Sequence, residues 1–233
     1  MGLKESGLRG SLRNVSVGID AIPDSELLQA YWPINEGSGD TVADQEGDND
    51  GTRVGADWVS ADGIDQDDAL DIVGDSDVIQ TPLDLSGFSE LTVVMLAKTT
   101  DNDDRFQYWF SQEPDDDDNP VIFRKDDDEF RNVVETENGS VELNANSSQI
   151  VDNEWAMYSI TYDGSEAAFY VDKDQQSSVS LSGEIVSSDS TFHIGNNSDG
   201  RERSLDGTAA QVHVWESGLD QSQIEQMHDQ LLG

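Results

Sequence analysis

The residues able to do chemistry are carboxylates, three histidines and a few amide-rich turns. Glu113-Pro-Asp-Asp-Asp-Asp118 is the nearest approach to a catalytic carboxylate pair. A retaining glycosidase needs two carboxyl groups about 5 Å apart, a nucleophile and an acid/base, for which a pair of Glu residues serves. Here the second Glu is missing and Pro114 and Pro120 bound a turn, so hydrolysis of glycosides is not expected and the chain reads as a non-enzyme. His193 and His213 fall in strand-like segments beside aromatic residues, and His228 in a helical one, so all three are expected to pack. No Gly-x-Ser-x-Gly elbow, P-loop or metalloprotease helix occurs.

Hard cations take carboxylate and carbonyl oxygens. Glu46-x-Asp48-x-Asp50-Gly51 spaces three acids as a calcium loop loosely does, so Glu46, Asp48 and Asp50 are the candidate ligands for calcium or another cation. Asn14, Asn138, Asn146 and Asn196 each begin an Asn-x-Ser sequon. Asn138 and Asn146 lie in the most loop-like settings and are the candidate glycosylation sites.

Short apolar segments must position these groups. Leu91–Ala97, Phe106–Phe110, Trp155–Tyr162, Ala167–Val171 and Val212–Trp215 have strand length, and clusters rich in Gly, Asn and Asp separate them. Many short strands with such turns predict an all-β sandwich or jelly roll. Trp32, Leu70, Leu91, Val93, Trp155, Tyr158, Ile160, Phe169, Val171, Val212 and Val214 are the expected core. One helix is expected at the C-terminal end. Asp220 can cap it with Gln223 as capping-box partner, and Ile224, Met227, His228 and Leu231 share a face before Gly233.

The chain has 233 residues and a net charge of −38, from 50 acidic and 12 basic residues. Such acidity usually accompanies disorder, but the apolar strands argue for a folded core, and 233 residues suit one large sandwich. Repulsion at this charge is screened within about 3 Å near 1 M salt, so a halophilic setting is expected. The same charge argues against nucleic acid as a partner. There is no cysteine, and no apolar run of about 18 residues that would insert in a membrane.

Residues 1–19 carry +2, from Lys4, Arg9 and Arg13 against Glu5, while the remainder carries −40. Glycines 2, 7, 10 and 18 disfavour a helix, and Val15, Val17 and Ile19 alternate with polar neighbours as in a half-buried strand. An extended arm is therefore expected to dock on a partner through Leu3, Leu8, Arg9, Leu12, Arg13, Val15, Val17 and Ile19, with the apolar members contributing most in high salt. The expected division is an arm and linker over 1–26 and a single domain over 27–233.

Tyr31-Trp-Pro-Ile-Asn-Glu-Gly-Ser-Gly39 with Asp44 and Gly51-Thr52, then Ala69-Leu-Asp-Ile72 with Gly74, resemble the opening motifs of laminin-G-like (concanavalin A-like) jelly rolls. Trp155, Tyr158-Ser-Ile-Thr-Tyr-Asp-Gly164 and Ala168-Phe-Tyr-Val-Asp172 resemble the family's central hairpin. Phe192-His-Ile-Gly195, Leu205-Asp-Gly207, Val212-His-Val-Trp215 and Leu219 with Gln223-Ile224 resemble its closing strands and helix, in the family's order. The resemblance, which covers about residues 27–232, implies an all-β, two-sheet antiparallel jelly-roll sandwich with a short C-terminal helix, to which the residue pattern of 1–19 adds an extended N-terminal arm outside the family pattern. It also implies a possible bound calcium, although Ala209-Ala-Gln211 lacks the acid that many relatives carry there.

Gly7-Leu-Arg-Gly-Ser-Leu-Arg-Asn-Val-Ser-Val17 resembles leader segments of haloarchaeal viral and proviral structural proteins that bear such a domain. That resemblance implies a virion surface protein, in a capsid-surface turret or a tail fibre. The arm would hold other virion proteins, the chain would self-associate as a homo-oligomer, and the jelly roll would meet host-surface glycan. A secreted haloarchaeal carbohydrate-binding or adhesion module, at the cell surface, is the alternative.

Overall fold

The computed structural model describes residues 22–99, 106–113, 119–126, 128–197 and 203–233. Two antiparallel sheets of eight strands each contain nearly all of its regular structure. The first holds β1 (Leu28–Trp32), β4 (Asp57–Ser60), β5 (Asp68–Ile72), β7 (Leu91–Thr99), β12 (Trp155–Tyr162), β13 (Glu166–Val171), β14 (Asp174–Ser180) and β16 (Gly207–Trp215). Its order is β14-β13-β12-β7-β16-β5-β4, with β1 also paired to β16. The second holds β2 (Thr41–Val42), β3 (Gly51–Val54), β6 (Val78–Gln80), β8 (Gln107–Gln112), β9 (Val121–Asp126), β10 (Glu129–Thr136), β11 (Gly139–Asn146) and β15 (His193–Ile194), in the order β11-β10-β9-β8-β15-β6-β3-β2. The crossovers between sheets make the expected jelly-roll sandwich.

Burial explains the composition of the strands. β7 is apolar along Leu91–Ala97 because it is covered on both faces. Leu91, Val93, Met95 and Ala97 join the core between the sheets, while Val94 and Leu96 join a second cluster under the helix. Aromatic rings bridge the sheets: Phe123 lies 5.7 Å from Tyr158, and Phe130 lies 5.0 Å from Phe169. Helix α1 (Gln221–Leu232) docks Ile224, Met227 and Leu231 on the outer face of the first sheet. Twelve residues make a marginal helix in isolation, so this burial and the capping box of Asp220 with Gln223 hold it. No helix among the described residues is long and apolar enough to cross a membrane.

Ten of the eleven expected core residues lie between the sheets. Trp155 is the exception. Side chains alternate along a strand, so Trp155 faces away from Tyr158 and Ile160, opposite Lys98. It is half-buried in the second cluster, donates Nε1 to the Asp62 carbonyl at 2.9 Å, and receives the Lys98 ammonium 4.9 Å from its ring centre.

The expected arm and linker, residues 1–26, divide differently. Ile22 is buried in the second cluster, Pro23 accepts the Trp215 indole N–H at 3.0 Å, and Asp24 accepts the Ser217 hydroxyl at 3.1 Å. The packed body therefore reaches back to Ile22. Leu3, Leu8, Arg9, Leu12, Arg13, Val15, Val17 and Ile19 lie outside the described residues.

Candidate functional site

Helix α1 covers the outside of the first sheet, whereas the outside of the second carries polar side chains. A bulge creates its most distinctive feature. The register of β8 against β9 shifts between Tyr108 and Phe110, which lets Trp109 and Phe110 both enter the core and turns Tyr108 outward. Tyr108 is paired with Arg124 of β9. It belongs to neither hydrophobic cluster, yet its ring is fully buried.

Two guanidinium groups cover it. Arg124 donates to the Tyr108 hydroxyl at 3.3 Å and Arg203 donates to the same oxygen at 3.2 Å. Arg203 also lies 4.7 Å from the Phe106 ring centre and 5.9 Å from that of Tyr108. Phe106 is 39% exposed, so part of its ring is accessible. Burial raises the Tyr108 pKa, Glu113 adds to this, and the arginines oppose it, so the phenol keeps its proton. Burial acts against the charge of Arg124, but Tyr108, Glu113 and Asp126 outweigh it and the pKa rises.

A buried asparagine positions Arg203. Asn196 donates Nδ2 to the carbonyls of Asp75 and Asp77 at 2.9 and 3.1 Å, and its Oδ1 accepts from the Arg203 backbone at 3.3 Å. Gly195 beside it has φ +81° and donates its N–H to the Trp109 carbonyl at 2.7 Å. A Cβ there would strike the Ile72 side chain and adopt a backbone conformation that L residues disfavour. On the same outward face His193 of β15 is paired with Ser111 of β8. Burial lowers the His193 pKa, opposed by a hydrogen bond to the Asn197 backbone.

The hydrogen-bonding balance of this cluster is unusual. Arg53 pairs with Asp40, Arg131 with Asp126 at 3.1 Å, and Lys173 with Asp229 at 2.5 Å. Although the chain has 50 acidic residues, Arg124 and Arg203 have no carboxylate within ion-pair distance among the described residues. The Nε of Arg124 is buried without an acceptor. The Tyr108 oxygen already accepts two N–H groups, which leaves its own proton to donate. Among the described residues the cluster thus presents donors with no carboxylate in direct contact, Glu113 and Asp126 acting on it only through space.

The sites expected from sequence lie elsewhere. Glu46 and Asp48 are exposed, and Asp50 accepts the Asp44 backbone N–H at 2.9 Å. Asp44 organises this turn, accepting from the backbones of Tyr31, Glu46 and Asn49. Among the described residues no three His, Asp or Glu side chains come together as metal ligands would, Glu46, Asp48 and Asp50 included. Asn138 is exposed in the turn before β11, whereas Asn146, also exposed, is the last residue of β11 and caps the short 3-10 turn Ser147–Gln149 rather than lying in a loop. Asn138 lines an open groove of about 400 Å³ with Ser140, Ser165, Ser180 and Ser182, where the edges of the two sheets meet. His213 is enclosed between Tyr31 and Trp215, at 4.2 and 5.6 Å between ring centres. Burial pushes its pKa down to about 3. Glu113 is buried at the end of β8, and residues 114–118 of the acidic string lie outside the described residues.

Sequence reasoning missed Tyr108, Arg124 and Arg203. One signal was present: Arg124-Lys125 is the only adjacent basic pair in this acidic chain, and Arg201-x-Arg203 is the next tightest cluster of the body.

Two packed antiparallel sheets of this topology, with a helix docked on the outer face of the first, define a jelly-roll sandwich of the lectin and glucanase kind. The chain belongs to the concanavalin A-like lectin/glucanases superfamily, whose Laminin_G_3 model matches residues 73–225. Among curated proteins none matches the sequence. Similar solved structures include Trypanosoma rangeli sialidase in complex with 2,3-difluoro-KDN, with 16% identity, a TM-score of 0.67, and coverage of 87% of this chain and 32% of that one. The binding domain of Paraclostridial Mosquitocidal Protein 1 has 14% identity and a TM-score of 0.67 over 88% of this chain and 52% of that one. The binding domain of Botulinum neurotoxin serotype D has 11% identity and a TM-score of 0.63 over 88% and 51%. The chain spans between a third and a half of these proteins, and at such identities the likeness concerns the fold.

Proposed function

We propose that the chain is a non-enzymatic recognition module on the virion surface of a halophilic virus, in a capsid turret or tail fibre. Its N-terminal arm attaches it to other virion proteins and to copies of itself, and the jelly roll binds host-surface glycan. The observation that carries the recognition role is the donor cluster of Arg124, Tyr108 and Arg203 on the sheet face that no helix covers among the described residues. The fold supports it, since two structural neighbours are described as binding domains and a third has been solved with sialic acid. The enclosed, neutral His213 supports a structural role for that histidine in place of a catalytic one. The charge reversal between residues 1–19 and the body supports the attachment role.

Two measurements test this reading. Labelled full-length protein should bind haloarchaeal cells in molar salt and lose that binding after periodate oxidation of surface sugars; binding that survives oxidation contradicts glycan recognition. Mass spectrometry should find the chain in purified virus particles, and a variant lacking residues 1–19 should stay folded and monomeric while failing to assemble. A chain found only as a cell-derived secreted protein would replace the virion setting with the adhesion-module alternative.

A further inference from the structure

We infer that Arg124, Tyr108 and Arg203 form a binding site for the carboxylate of an acidic sugar, with Phe106 as the platform for the sugar ring. The inference deepens the glycan-recognition reading and rests on it.

The argument starts from what the cluster lacks. Two guanidinium groups meet on one phenol oxygen, and neither has an ion pair among the described residues. Buried donors are normally satisfied, and the Arg124 Nε is not. The missing group is an acceptor with more than one lone-pair direction and negative charge. A carboxylate fits both conditions, because its two oxygens match the planar fork of a guanidinium and can also accept the Tyr108 hydroxyl proton. The protein's own carboxylates are abundant, but the nearby Asp126 is engaged by Arg131 at 3.1 Å, and the buried Glu113, which acts on Tyr108 and Arg124 through space, makes no ion pair with either arginine of the cluster.

The neighbouring surface selects a sugar as the carrier. Phe106 is approached by Arg203 and remains 39% exposed, and an exposed aromatic ring of this kind can pack against the C–H face of a sugar ring. Asn196 and Gly195 hold the Arg203 segment against β8, so the cluster is organised before a ligand arrives and little ordering cost remains for binding. The site is partly enclosed, and charge-assisted hydrogen bonds there are screened by salt less than exposed pairs are.

Calorimetric titration of the full chain in about 1 M sodium chloride with oligogalacturonate, its methyl ester and a neutral oligogalactoside tests the site. The acid should bind at least tenfold more tightly than the ester or the neutral sugar. Arg124→Gln and Arg203→Gln should each weaken the acid at least tenfold, with circular dichroism unchanged. Phe106→Ala should weaken oligogalacturonate several-fold but leave binding of acetate unchanged, which separates the platform from the carboxylate contact.

If acid, ester and neutral sugar bind equally and Arg124→Gln changes nothing, the carboxylate site is wrong while glycan recognition survives elsewhere on the domain. If none of the three binds here although the protein still binds cells through periodate-sensitive sugars, the acidic-sugar assignment fails alone. If the arginine variants affect acetate and oligogalacturonate alike and Phe106→Ala affects neither, the site is a simple anion site and the sugar assignment is overturned.

Discussion

His213 makes the stability of the fold depend on pH in a calculable way. The ring is fully enclosed in the stack with Tyr31 and Trp215, its Nδ1 has no partner, and burial lowers its pKa from 6.5 to about 3. Between those values the unfolded chain holds a proton that the folded chain does not, so stability rises with pH across the window and is lost as pH falls through it. The limiting slope is about 1.4 kcal/mol per pH unit. From pH 7 to pH 5 the loss due to this residue is about 2 kcal/mol. His193 is shifted in the same direction, so the contribution of His213 is isolated by His213→Phe, which keeps an aromatic ring in the stack and removes the orphaned nitrogen. Denaturant unfolding at constant high salt, repeated at pH 7, 6 and 5, should show a stability difference between the two proteins that shifts by about 2 kcal/mol in favour of the variant as pH falls. Parallel pH profiles for wild type and variant would refute the reasoning, as would an NMR titration of the His213 ring near pH 6.5.

Trp109→Ala should destabilise by about 3–5 kcal/mol in denaturant titration, as truncation of an enclosed aromatic does, and Trp155→Ala should cost clearly less because Trp155 is half-buried outside the main core. Asp220→Ala should cost about 1 kcal/mol by the same measurement, the worth of an N-cap, because it removes the capping box of α1. Thermal melts across a salt series should fall steeply toward low ionic strength, as the −38 charge becomes unscreened; a flat series would remove the argument for a halophilic setting.

Much of the fold was legible because burial imposes a pattern on the chain. The continuous apolar run of β7, the alternation in β12 and the capping box before α1 are local signals, and each appears in the structure where the residues place it. Trp155 was misjudged although the rule that corrects it is also local: in a strand it cannot share a face with Tyr158 and Ile160. The Glu46–Asp50 turn is ambiguous for a different reason. Carboxylate spacing looks alike whether it serves a cation or backbone N–H groups, and here Asp44 and Asp50 serve the backbone.

The donor cluster was not legible. It depends on a bulge at Trp109 that no residue type announces, and it joins Tyr108, Arg124 and Arg203 from distant parts of the chain. The packing of Ile22 and Pro23 on the body was missed similarly, since Trp215, which holds Pro23, lies at the other end of the sequence.

The most direct test of the account is a crystal structure of the full chain grown with oligogalacturonate in high salt. The account predicts density for a carboxylate between the Arg124 and Arg203 guanidinium groups, within hydrogen-bonding reach of the Tyr108 hydroxyl, and a sugar ring against Phe106. An empty cluster with the sugar seated in the serine-lined groove beside Asn138, or a protein carboxylate between the two arginines, would contradict it.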